Sequence, residues 1–329
     1  MTHEIKVKNR LGAYLYIFSA GLISTVVMRC VACFRDLDIP SGYFNNKGLI
    51  TAADITMVAF MLILFLHTFS HANSDSTPKE GFANASTYIP LGGLAVAVLF
   101  LSFELAKECF VGSPAFSDVP GTVKLIAAIL GLLSAATFTM NILIEKKLSQ
   151  LRGAFSILTV LFFAMYSINV YFSTEMPANS PSKILSEFAF LFTAIFFLYE
   201  TRISIGRSKW HSYTAFGLIA TLILSYTAVP ALILYIFKGG ALIVGSATEL
   251  AAMLMLAIFI GARTMLITFA PEDEVCELAD NIIDIAYERS QKASQSTPDS
   301  LARGLNLNVE NQPQNGNPET ADNSSKEEI

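Results

Sequence analysis

Long apolar stretches recur along this chain from Leu11 almost to Phe269, and only short polar loops separate them. Each stretch is about as long as the roughly 20 residues that an α-helix needs to cross a bilayer. In lipid, a backbone satisfies its own hydrogen bonds only as a helix or a closed barrel, and these stretches are too long and too evenly apolar for barrel strands. The sequence therefore predicts an all-α, polytopic helical integral membrane protein.

Composition agrees with this class. Of the 329 residues, 53% are hydrophobic and only 15% are charged, whereas a soluble domain carries about 25% charged residues. Burial in lipid explains the excess of apolar residues, and membrane lipids are the first expected partners.

The length criterion predicts about eight transmembrane helices within residues 11–270. The predicted spans are residues 11–34, 52–69, 88–107, 121–144, 153–172, 181–204, 213–237 and 247–268. The first span is expected to be retained, because its apolar run is longer than the 7–15 residues typical of a signal peptide and has no small-residue cleavage site at its end.

Lysine and arginine predict the orientation, since cytoplasmic loops are enriched in both. They collect before the first span and in the fourth and sixth loops, at Lys6, Lys8, Arg10, Lys146, Lys147, Arg152, Arg202, Arg207 and Lys209. With an even number of spans, these segments share one side. Residues 1–10 and the C-terminus are then cytoplasmic, and the plasma membrane is the expected location of a multi-pass protein.

The sequence changes character after Pro271. Residues 271–289 predict a short cytoplasmic amphipathic helix with an acidic polar face, and residues 290–329 have the composition of a disordered acidic tail. An acidic tail favours a cytosolic protein partner and disfavours nucleic acid, because it would repel phosphate. The oligomeric state is not predicted.

Three segments carry signals for the start of a helix. Thr51 to Asp54 and Ser246 to Glu249 each match a capping box, in which a hydroxyl and an acid three residues later satisfy the first free amides. Ser180 directly before Pro181 matches an N-cap followed by proline at the first helical position.

Charged side chains inside membrane spans are costly and are functional candidates by default. On the predicted topology, seven of them lie within a turn or two of the outer surface and predict an outward-facing polar vestibule. They are Arg29, Asp54, Glu104, Lys107, Lys124, Glu187 and Glu249. For Asp54, Glu187 and Glu249 the first turn of a helix is a sufficient explanation, because the helix dipole favours anions there.

Glu104 and Arg29 are less easily explained. Glu104 lies near the C-terminal end of its span, where the dipole disfavours a carboxylate, so it is expected to pair with Arg29 or with Lys107. Asn169 has a similar depth and could add hydrogen bonds. The candidate ligand-binding residues are therefore Arg29, Glu104, Lys107 and Asn169, and the alternative is a structural ion pair. Near the inner surface, Glu200 is expected to pair with Arg202.

No metal, cofactor or catalytic site is predicted. His67 and His71 share a helix face, as paired metal ligands do, but no third and fourth ligands are evident. The four cysteines do not form a disulfide framework, and the chain has no nucleophile elbow, zinc-protease or phosphate-loop motif.

The leading functional hypothesis is a non-enzymatic membrane-embedded binding or regulatory component with an outward-facing polar pocket. A secondary, proton-coupled transporter of small solutes and an intramembrane enzyme acting on lipid are the alternatives. A transporter typically has a site near the membrane midplane between broken helices, whereas the charges here lie near one surface.

Overall fold

The computed structural model describes residues 2–39, 41–70, 85–111, 119–143, 149–174, 177, 180–204, 210–238 and 245–269. Contacts divide the chain into two units, Met1–Pro271 and Glu272–Ile329. The amphipathic helix predicted for residues 271–289 and the tail predicted for residues 290–329 lie outside the described residues.

The described residues form eight α-helices and one short hairpin. The helices are α1 (Thr2–Asp36), α2 (Lys47–Ser70), α3 (Ala85–Val111), α4 (Val119–Leu143), α5 (Ser149–Phe172), α6 (Pro181–Ser204), α7 (Trp210–Phe237) and α8 (Ala247–Phe269). The hairpin pairs β1 (Leu37–Asp38) antiparallel with β2 (Tyr43–Phe44), and Gly42 supplies the positive φ of 69° that its turn requires.

Each predicted span falls on one of these helices, so the all-helical class is confirmed. Within the described residues, α1, α2, α4, α6, α7 and α8 contain six segments long and apolar enough to cross a membrane. The corresponding segment of α5, Ser156–Phe172, is shorter. The chain is thus built as a helical membrane protein, and the full count of eight spans stays a prediction.

The helix starts confirm two of the three sequence signals. Ser246 and Ser180 accept hydrogen bonds from the backbone amides of Glu249 and Lys183, at 3.1 and 3.3 Å, as N-caps do. The prediction for Thr51 is wrong, because α2 begins four residues earlier, at Lys47. Asn46 is the cap there, and its side-chain oxygen accepts from the amide of Gly48 at 3.0 Å.

The helices pack as a ring with a pair attached to one side. Helices α3 to α8 follow one another round the ring, each against the next, and α8 closes it against α3. Helices α1 and α2 pack on each other and on α7. Helix α7 therefore has neighbours on several sides, and most of its side chains are buried.

Consecutive helices run antiparallel, as their contacts show. Late residues of one helix meet early residues of the next, for example Glu108 of α3 with Lys124 of α4. The end of the bundle that carries the β1–β2 hairpin, called the hairpin end below, is therefore also where α3, α5 and α7 end and where α4, α6 and α8 begin.

Helices α7 and α8 approach closely through small residues. A Cβ atom placed on Gly217 of α7 would overlap the side chain of Thr264 of α8, and one placed on Gly261 would lie 3.0 Å from Cγ2 of Thr221. Small residues in such positions let helix backbones approach, which matters in lipid because no hydrophobic effect drives one helix onto another.

This packing yields a prediction. Gly217→Ala should lower the free energy of unfolding by about 1–3 kcal/mol, the usual effect of overpacking a tight contact. Gly48→Ala is the matched control, because the Cβ it adds meets only Asn46 Oδ1, at 3.4 Å. Both changes replace a helical glycine by alanine, so equal unfolding temperatures for the two purified variants in detergent would contradict the close α7–α8 contact.

Candidate functional site

A polar cavity opens at the hairpin end between α3, α4, α5 and α8. Its interior volume is about 30 Å³, well below the roughly 300–1,000 Å³ of typical small-molecule sites, so it has room only for a small solute. We call it the ring cavity. It is lined by Leu101, Glu104, Leu105, Glu108, Lys124, Tyr166, Asn169, Val170, Ser173, Ser246 and Glu249.

The ring cavity is acidic. Among the described residues, its lining holds three glutamates and one lysine, a formal charge of −2. The lysine, Lys124, forms an ion pair with Glu108 through Nζ and Oε2 at 2.6 Å. The positive charge in the lining is therefore already engaged by one carboxylate.

Local structure fixes the other polar groups of the ring cavity. Ser246 caps α8 and also donates its hydroxyl proton to Glu104 Oε2 at 3.2 Å, so one residue links α8 to α3. The same cap sets the first turn of α8, which buries Glu249 to 4% exposure. Asn169 on α5 is 7% exposed, and within the described part of the chain its side-chain oxygen has no hydrogen-bond partner.

Aromatic side chains fill the ring beyond the cavity. Tyr166 lies in the cavity wall, and its ring packs edge-on against Phe190 with centroids 4.6 Å apart. Further from the hairpin end, Phe163 is stacked between Phe190 and Phe197, and Phe197 is stacked on Phe259. These four phenylalanines, the aromatic ladder, are buried. They do not line the cavity themselves, and Tyr166 joins the cavity wall to the ladder through its contact with Phe190.

Arg29 lies in a separate cluster between α1, α2 and α7. Its side chain is fully buried, and Nη1 lies 3.7 Å from Asp54 Oδ1. Tyr226 donates its hydroxyl proton to the same oxygen at 2.6 Å, and its ring centroid lies 4.5 Å from the guanidinium carbon. The charge of Arg29 is thus balanced by a carboxylate and by an aromatic face.

The structure corrects two predicted pairs. Arg29 does not pair with Glu104, because Arg29 lies against α7 and α2 while Glu104 faces the ring cavity. Glu200 does not pair with Arg202; Arg263 of α8 donates to Glu200 Oε1 through Nη2 at 2.8 Å and through Nε at 3.2 Å.

Of the four candidate ligand-binding residues, the structure brings two together. Glu104 and Asn169 share the ring cavity, whereas Arg29 lies in its own cluster and Lys107 is exposed on α3, outside the cavity lining. Sequence reasoning missed Glu108 and the contact of Ser246 with Glu104. The capping motif marked Ser246, but only the packing of α8 on α3 shows what it touches.

Comparison with protein-family models, with curated proteins and with solved structures gives no match for this chain. The geometry of the two polar sites and the membrane-protein class are therefore the evidence from which a function can be inferred.

The Arg29 cluster yields a double-mutant prediction. Arg29→Met and Asp54→Asn should each destabilise the protein, and the double variant should lose less than the sum, with a coupling free energy within about 0.5–3 kcal/mol. The matched control pairs Arg29→Met with Glu104→Gln, for which we expect additive losses. Urea or thermal unfolding in detergent gives the free energies of unfolding for both double-mutant cycles. Coupling of Arg29 to Glu104 but not to Asp54 would refute the assigned pairing.

Proposed function

We propose that this protein is a non-enzymatic, membrane-embedded binding component and that the ring cavity is its outward-facing pocket for a small solute. The observation that carries the proposal is a small, acidic polar cavity set inside a ring of apolar helices. Ionisable groups among membrane helices are costly and rare, and those that are present commonly mark a functional site.

The aromatic ladder favours binding over conduction. A solute that entered from the hairpin end would meet Tyr166 and then the stacked rings of Phe163 and Phe197. A proton-coupled transporter, the alternative, would have to part these rings to open a path to the other side. The polar groups of the cavity also lie near one end of the bundle rather than at its middle, where transporter sites typically lie.

The orientation of the pocket follows from the charge distribution. Lysine and arginine predict that the loops opposite the hairpin end are cytoplasmic, so the cavity mouth faces outward. On this arrangement a solute is recognised from outside the cell, and the acidic segment after Pro271 is the proposed contact with a cytosolic partner.

Cysteine labelling tests the outward-facing pocket. In a background with Cys30, Cys33, Cys109 and Cys276 replaced by alanine, Ser173→Cys should react with a membrane-impermeant thiol reagent added to intact cells. Ser173 lines the ring cavity. Ser149→Cys, at the start of α5 and outside the predicted span, is the matched control at the opposite end and should react only after permeabilisation.

Two results would contradict the proposal. Labelling of Ser149→Cys from outside would reverse the orientation. Protection of Ser173→Cys on both sides of the membrane would mean that the ring cavity is closed to solutes. The native cysteines are replaced because Cys109 lies on α3 close to the cavity residue Glu108.

A further inference from the structure

We infer that the ring cavity selects a small primary ammonium, held by Glu104 and Asn169 and by the net negative charge of the lining. This inference rests on the proposed function and names the chemical class of its solute. It is carried by the charge, the unmatched hydrogen-bonding group and the shape of the cavity.

Charge excludes anions. Of the described residues, three carboxylates and one ammonium line the ring cavity, and Lys124 is engaged by Glu108 at 2.6 Å. An anionic solute would meet an excess of like charge in a partly desolvated site, where electrostatic interactions are stronger than in water. A cation would lower the electrostatic energy of the same site.

Asn169 indicates that the cation carries hydrogen-bond donors. Its side chain is 7% exposed, and its side-chain oxygen has no partner among the described residues. A buried acceptor without a hydrogen bond costs free energy, and a donor from the solute would remove that cost. A quaternary ammonium has no N–H group and would leave this oxygen unmatched, whereas a primary ammonium has three.

The shape of the cavity favours an organic cation over a metal ion. Within the described residues, no three Asp, Glu, His or Cys side chains are grouped to hold a metal. Leu101, Leu105 and Val170 line the cavity and offer an apolar wall to an alkyl chain. The ring of Tyr166 adds an aromatic group that attracts cations.

The test uses the full chain in detergent and four probes that share a four-carbon chain: n-butylammonium chloride, 1-butanol, sodium butyrate and butyltrimethylammonium chloride. Thermal unfolding is measured at equal probe concentration, with sodium chloride as the control for ionic strength. We expect n-butylammonium to raise the unfolding temperature in a saturable way and the other three to leave it near the salt control, because ligands stabilise the state they bind.

Variants locate the site. Glu104→Gln and Asn169→Leu should each weaken binding of n-butylammonium by about tenfold or more, as expected for loss of a hydrogen bond that involves a charged group. The matched controls are Lys107→Gln on the same helix and Glu187→Gln on α6, because neither residue lines the ring cavity. Both controls should bind as the unmodified protein does.

The outcomes separate the two proposals. If 1-butanol or butyrate stabilises the protein as well as n-butylammonium does, or if butyltrimethylammonium does so, the ammonium inference is wrong and the proposed function stands. If no probe acts, both are wrong. If Glu104→Gln and Asn169→Leu bind n-butylammonium as tightly as the unmodified protein does, the binding site is not the ring cavity. If these variants fail to fold, the comparison of the four probes on the unmodified chain still tests the ammonium inference.

Discussion

The burial of α7 is the constraint on which the rest of the structure depends. In lipid, helices gain little from hydrophobic burial against each other, so close packing and polar contacts must hold them together. Helix α7 supplies both. Gly217 lets it approach α8 closely, and Tyr226 ties it to Asp54 of α2, which in turn pairs with Arg29 of α1. Through α7, the pair α1–α2 is joined to the ring of helices α3 to α8.

The two polar sites at the hairpin end therefore differ in kind. In the Arg29 cluster, a fully buried cation lies 3.7 Å from the carboxylate of Asp54, which is 40% exposed, and faces one aromatic ring. Among the described residues, its guanidinium nitrogens have no hydrogen-bond partner. Removing Asp54 would leave the buried charge without its nearest carboxylate, which is destabilising and suits a structural role. The ring cavity has open volume, an excess of carboxylates and the unmatched oxygen of Asn169. These are features of a site that receives a solute.

Hydropathy was sufficient to predict every described helix, because each of them contains one of the long apolar stretches of the sequence. Depth could also be predicted: Glu104, Lys124, Asn169 and Glu249 do share one cavity, since position along a helix fixes depth. Which helices pack side by side could not be predicted, because the hydropathy of a single span does not determine its neighbours in the bundle. Arg29 and Glu104 share a depth but lie on different sides of the bundle. The sequence assigned Asp54 to a capping box, but the structure shows that Asn46 caps α2 instead.

The central claim is that the ring cavity is open at the hairpin end, closed by the aromatic ladder, and separate from the Arg29 cluster. A cryo-electron microscopy map of the full chain in lipid nanodiscs, at a resolution that shows side chains, tests it most directly. We expect density for Phe163 stacked between Phe190 and Phe197 beneath an open cavity. We also expect Arg29 to be enclosed by α1, α2 and α7. A continuous water-filled path past Phe163, or Arg29 facing Glu104 across a shared cavity, would contradict it.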